Sequence, residues 1–206
     1  GYYQCDIATP FGPLRSLRLG IPGWVNVENC VAAVASAVCA SRKRGEKLDE
    51  ELLREGLRSF SGVKRRFEFY VNTPRQVYMD DYAHHPEELE ATITSARRMF
   101  PSRRITAVFQ PHLYTRTRDL YREFAEALSH ADEVVLVPIY PAREEPIEGI
   151  CSELIGEYVT APWHICEREN LADDLYSMPS DVVVTFGAGN IDVYCEAIAA
   201  ELIKKA

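Results

Sequence analysis

Val77-Tyr78-Met79-Asp80-Asp81-Tyr82-Ala83-His84-His85-Pro86 passes from a short apolar run into a polar turn and then, at Pro86, into a helix. A brief apolar run bounded by turn residues reads as a buried strand. Pro86 with Glu87 and Glu88 reads as a helix start, because proline suits the first turn and acids suit its positive end. Leu89, Ile93, Ala96 and Phe100 then share one side of that helix. The rhythm repeats downstream. Residues 105–109 predict a second strand, followed by a helix with Leu120, Tyr121, Phe124 and Leu128 inward. Residues 134–137 predict a third strand, and 181–186 a fourth, before a closing helix through Ile191, Tyr194, Ile198 and Leu202. Strands alternating with helices predict an α/β fold with a doubly wound, mostly parallel sheet.

Upstream the pattern is different. Val27, Cys30, Val31, Val34, Ala35 and Val38 form one apolar stripe, which predicts a helix over 26–44. Asn26 is placed to cap it, Pro22-Gly23 breaks the chain ahead of it, and Gly45 ends it. Leu52, Leu53 and Leu57 predict a second helix over 49–60. Gly62, the basic run Lys64-Arg65-Arg66 and a strand-like 67–71 follow. Two domains are expected, a mainly helical 1–72 and a sheet domain 73–206.

The chain has 206 residues and a net charge of −8, which argues against a nucleic-acid surface, since that needs a basic stripe. A few local arginines can still hold an anionic small molecule. No segment is read as apolar enough to span a bilayer. The six cysteines show no C-x-x-C pair and no metal-ligand spacing, so they are read as free thiols of a reducing cytoplasm and no metal ligand is assigned. The start, Gly1-Tyr2-Tyr3-Gln4, has neither an initiator Met nor the plan of a signal peptide, so an internal piece of a larger protein is expected.

In doubly wound sheets, ligands bind beyond the carboxyl ends of the strands. That edge is where residues 80–86, 110–116, 140–145 and 187–190 fall, with most of the histidines and several tyrosines and arginines. Each element also has a plainer reading. Asp81 or His85 could serve only as a helix cap. Gly187-Ala188-Gly189 is half of a dinucleotide fingerprint and equally a tight turn. Lys64-Arg65-Arg66 is either a solvated run or, through its guanidinium planes, a phosphate contact.

Taken in order, these segments resemble the Mur ligase family, and within it the members that join L-alanine to UDP-N-acetylmuramate. The matching stretches are Pro22-Gly23 with Asn26 and Asn29, residues 62–67, 80–86, 109–121, 140–142 with 145–147, and 187–191. The resemblance implies a Rossmann-like carboxy-terminal domain over 73–206, preceded by the end of a central ATP-binding domain. It implies ATP and Mg²⁺ as cofactors, UDP-N-acetylmuramate and L-alanine as partners, and an acyl phosphate that the alanine amine attacks. Position by position, Asn26 and Asn29 resemble adenine-side residues and Arg66 a nucleotide-contacting arginine. Asp81 resembles the ribose-side aspartate, with His84 near the nucleotide. Tyr82, His112 and Arg116 resemble the amino-acid pocket, and Arg66, Asp81 and His112 are the residues expected to bear on catalysis.

Three departures accompany the resemblance. The chain has no G-x-x-x-x-G-K-[ST] phosphate loop, so alone it is expected to be inactive. Val25 stands where relatives often have His. Leu113 stands where many have Arg, and Arg143, in place of Gly, is a candidate replacement cation for the amino-acid pocket. A peptide-adding relative of cell-wall recycling and a non-catalytic binding module are the alternative readings.

Overall fold

The computed structural model describes residues 2–206, which divide into two compact units between Gly62 and Val63. The division falls ahead of residue 72 because the segment after Gly62 pairs with the sheet that follows it.

The first unit contains strands to which the sequence reading assigns no element. β1 (Tyr2–Thr9) and β2 (Gly12–Pro22) form an antiparallel hairpin, followed by α1 (Trp24–Arg44) and α2 (Glu50–Ser59). Leu14, Leu17 and Leu19 of β2 pack with Val27, Cys30, Val34 and Val38 of α1, and Leu53 and Leu57 close the cluster. α1 starts at Trp24 with Gly23 as its cap, which corrects the expected cap at Asn26. Asn26 lies inside the first turn, where its side-chain amide donates back to the Pro22 carbonyl at 2.6 Å. Gly45, at φ 70, closes the helix in the left-handed conformation that favours glycine. A second correction concerns hydropathy: by length and composition α1 could cross a membrane, although one face of it is buried in this unit's core.

The second unit is a six-stranded sheet in the order β3-β4-β8-β5-β6-β7. β3 (Glu68–Asn72) lies antiparallel at one edge. β4 (Val77–Asp81), β5 (Ile105–Phe109), β6 (Glu133–Leu136), β7 (Trp163–Ile165) and β8 (Val182–Phe186) run parallel. Alternation along β4 sends Val77 and Met79 to one face and Tyr78 to the other. Leu89 and Ile93 of α3 (Pro86–Met99), Phe124 and Leu128 of α4 (Tyr114–Leu128), and Ile155 of α5 (Glu153–Gly156) cover the first face. Leu171 and Leu175 of α6 (Leu171–Ser177), with Ile198 and Leu202 of α7 (Cys195–Leu202), cover the second. The sheet is therefore doubly wound and mainly parallel. Both faces are apolar, so polar chemistry is left to the strand ends.

Candidate active site

β4 ends in two aspartates with different tasks. Asp81 is buried, and its oxygens accept the backbone N–H groups of Phe67 and Ala83, both at 2.9 Å. Burial pushes its carboxyl up to about 6, against the pull of those two donors and of Arg66. Asp80 is also buried; it receives the Thr185 hydroxyl at 2.7 Å and pairs with Arg65 Nε at 3.1 Å. Burial raises its carboxyl too, opposed by Thr185 and Arg65.

The two aspartates hold the turn before β3 against the sheet. On that turn Arg65 folds inward, while Arg66 is exposed and pairs with no carboxylate among the described residues. The Tyr82 ring lies near both guanidinium groups, at 4.9 Å from Arg65 and 5.9 Å from Arg66.

Glu88, one turn into α3, accepts the backbone N–H groups of His84 and His85 at 2.9 and 3.2 Å. The loop after β4 is thereby fixed to the helix start. His84 Nδ1 lies 3.0 Å from the Tyr82 carbonyl and 3.4 Å from Glu88, so two acceptors place its proton on Nδ1 and leave Nε2 open. His85 is exposed.

The loop after β5 supplies the opposite wall. His112 stacks on Tyr140 with ring centres 5.7 Å apart and planes at 22°, and lies 6.4 Å from His84. Arg116 Nη1 is 3.5 Å from His112 Nδ1, so that nitrogen faces a cation and accepts. Burial, then Arg116 and His84, lowers the His112 imidazole below its ordinary range. Leu113, at φ 76, turns the chain into α4, and its backbone N–H donates to Tyr140 O at 3.0 Å. Glu144 accepts the backbone N–H of Thr115 at 2.9 Å and its hydroxyl, which ties the loop after β6 to the start of α4. Those donors, Thr115 first, hold the Glu144 carboxyl below its ordinary range.

The loop after β8 completes the edge. Gln110 Oε1 accepts the Ile191 N–H, and its Nε2 donates to Asn190, both at 3.1 Å. Gly189 packs so closely that a Cβ there would lie 2.7 Å from Tyr140 Cβ.

Tyr82, His84, His112 and Arg116 thus meet on one edge, with Arg66 beside them. Asn26 and Asn29 belong to the other unit, where Asn29 reaches Asn26 at 3.5 Å. Arg143 is exposed on a loop beside Ala142, whose φ is 51. Arg65, Glu88, Gln110 and Glu144 carry the architecture of the edge, although none of them was a candidate site residue from sequence by itself. Only Glu88 had a local signal, three residues after His85 in a helix start. The others act across long sequence separations. The edge is an aromatic-lined surface with two guanidinium groups and two imidazoles, suited to a small anion bearing carboxylate or phosphate oxygens.

Residues 65–189 match the domain family described as Mur ligase, glutamate ligase domain. The chain belongs to the Mur ligase family. This Mur ligase chain is 44% identical over 97% of its length to a UDP-N-acetylmuramate–L-alanine ligase of Phocaeicola vulgatus, and covers 43% of that protein. Among solved structures it is similar to a UDP-N-acetylmuramate–alanine ligase from Thermotoga maritima, at 27% identity and a TM-score of 0.70, covering 92% of this chain and 40% of that one. A murein peptide ligase from Psychrobacter arcticus shares the fold at 19% identity and a TM-score of 0.61, covering 93% and 39%. The Mur ligase chain thus spans less than half the length of these relatives.

Proposed function

We propose that the chain is the carboxy-terminal part of an ATP-dependent UDP-N-acetylmuramate–L-alanine ligase of peptidoglycan precursor synthesis, working in the cytoplasm. The observation that carries this reading is the meeting of Tyr82, His84, His112 and Arg116 on one edge beside the exposed Arg66. Gly1–Gly62 is then the end of the central ATP-binding domain, and Val63–Ala206 the domain that delivers the amino acid.

In this scheme the muramoyl carboxylate is activated as an acyl phosphate by ATP. The alanine amine adds to its carbonyl, and the tetrahedral intermediate expels phosphate. Arg116 holds the alanine carboxylate, worth about 1.5–3 kcal/mol net for a charge-assisted bond. Tyr82 and His112 form the walls around the small side chain. Arg66 and His84 face the nucleotide. Asp81 serves the ribose side chiefly by fixing the turn that carries Arg66. Asn26 and Asn29 take the adenine side. His112, held neutral, keeps a lone pair beside Arg116 rather than adding positive charge next to the incoming amine.

The phosphate cradle and Mg²⁺ do not fit the residues present. The chain has no phosphate loop, and among the described residues no three His, Cys, Asp or Glu side chains cluster as metal ligands. Both groups are assigned to the part of the enzyme outside this chain, and no step is routed through them.

The test is ATP-dependent phosphate release by the full-length protein with UDP-N-acetylmuramate and, in turn, L-Ala, Gly, L-Ser or an L-Ala-led tripeptide. Release driven by L-Ala supports the reading. Release driven only by the tripeptide moves the protein to the peptide-adding branch, and silence with all four overturns the enzyme reading. Arg143 takes over the cation lost at Leu113 if Arg143→Ala raises the KM for alanine; an unchanged KM removes it from the pocket.

A further inference from the structure

Arg65 stands in a basic run but lacks the surroundings of a solvated charge. Its backbone adopts the left-handed region at φ 59, its carbonyl accepts the Tyr82 N–H at 2.7 Å, and its own N–H donates to Glu68 at 2.7 Å. The side chain is 13% exposed. Nε meets Asp80 at 3.1 Å and Nη2 donates to the Gly187 carbonyl at 2.5 Å. Nη1 reaches the Gly189 carbonyl at 3.3 Å and Asp192 at 3.4 Å. The same guanidinium covers the Tyr82 ring at 4.9 Å. One planar fork therefore joins the end of β4, the turn after β8 and the Tyr82 ring. Only a guanidinium offers enough directed donors for all of these at once.

We infer that Arg65 is a positioning residue: it sets Tyr82 and the Gly187–Gly189 turn relative to each other, and leaves Arg66 exposed beside them. The kinetic part of its test rests on the ligase reading; the exchange part does not.

Arg65→Lys in the full-length protein separates charge from geometry. Lysine can still neutralise Asp80, but one ammonium cannot also span both carbonyls and lie flat on Tyr82. Amide hydrogen exchange at Gly187, Ile191 and Val193 is expected to accelerate about tenfold or more, the loss that follows removal of a charged hydrogen bond. Exchange in the middle of β8 should stay as it was. Unchanged exchange in the turn overturns the inference. Asp192→Asn is the second variant: it removes one part-exposed partner and should accelerate the same amides less.

In the kinetic arm, Arg65→Lys and Tyr82→Leu are each expected to raise the KM for L-alanine. The double variant should raise it no further than the larger single effect, because both changes disturb one device. Multiplying effects overturn the route through Tyr82. If the parent protein releases no phosphate with any acceptor, the ligase reading falls, and the exchange result alone decides the role of Arg65.

Discussion

Replacing Gly189 with alanine inserts a single methyl group at the tightest contact of the edge. Its carbon would lie 2.7 and 2.8 Å from Tyr140 Cβ and Cγ, and closer still to Gln110 Oε1. Carbon atoms in contact sit about 3.5–4.0 Å apart, so roughly 1 Å of movement is required. Neither neighbour is free to give it. Tyr140 is fixed through its backbone N–H to Pro111 O at 2.8 Å and through its carbonyl to Leu113 N at 3.0 Å. Gln110 is buried and holds Ile191 and Asn190. The stability cost is therefore that of overpacking, about 1–3 kcal/mol. The larger effect is expected in activity, since the Tyr140 ring carries His112, and a shift of about 1 Å in a positioned group costs on the order of 10²-fold. Stability is measured by denaturant unfolding of the chain followed by Trp163 fluorescence, with Trp24→Phe as background so that only the sheet unit reports. Activity is measured as kcat/KM for L-alanine in the full-length protein. A loss of stability below about 0.5 kcal/mol with unchanged kinetics would show that the turn yields easily and that the packing argument is wrong.

Asp80→Ala leaves the Arg65 cation without its buried partner and should cost about 3–5 kcal/mol by the same fluorescence assay. Asp119→Ala, which breaks an exposed pair with Arg118, should leave the midpoint where it is. His112 is expected to titrate by NMR below its ordinary value, and Arg116→Leu to move the midpoint upward, although burial remains the larger cause. A lowered midpoint means that the stability from His112 is complete above its ordinary value and is lost as pH falls through the folded one. Asp81 has the opposite sign: its carboxyl carbon should titrate near pH 6, and its contribution is complete below 3.8 and lost as pH rises through about 6. Asp81→Asn should flatten the stability profile across that window; a profile of unchanged slope would remove Asp81 as its source.

The strands and helices of the sheet unit were legible where burial and period agree. β5 and the start of α3 at Pro86 fall where the apolar run and the proline place them. β7 was not legible, because it is three half-buried residues behind a proline. The hairpin of the first unit had a period-two signal in Tyr3, Cys5 and Ile7, but its partner strand breaks the alternation. There Ser16, at φ 56, and a register shift between Cys5 and Ile7 put Leu14, Leu17 and Leu19 on one side. The expected cap at Asn26 failed because its side chain bonds backward to Pro22 rather than forward into the helix. At the site, the residue types read from the strand ends do come together on one edge of the sheet. The roles of Arg65 and Glu144 were not legible, since their partners lie up to 124 and 29 residues away.

The strand order has a consequence for how the chain is made. β8 is the last strand in the sequence, yet it lies between β4 and β5, and Val182 faces both Val77 and Ile105. During vectorial synthesis, β4 and β5 emerge early with no seam to join them. Their apolar faces, and the helices behind them, must wait until Phe186 has left the ribosome. A nascent chain released early is therefore a pair of unjoined half-sheets with open edges, the kind of species that aggregates or is degraded. The same placement puts the Gly187–Gly189 turn at the end of the strand that joins the two halves of the sheet. The edge that gathers Tyr82, His84, His112 and Arg116 draws on the ends of both β4 and β5, so it is assembled only when β8 joins the two.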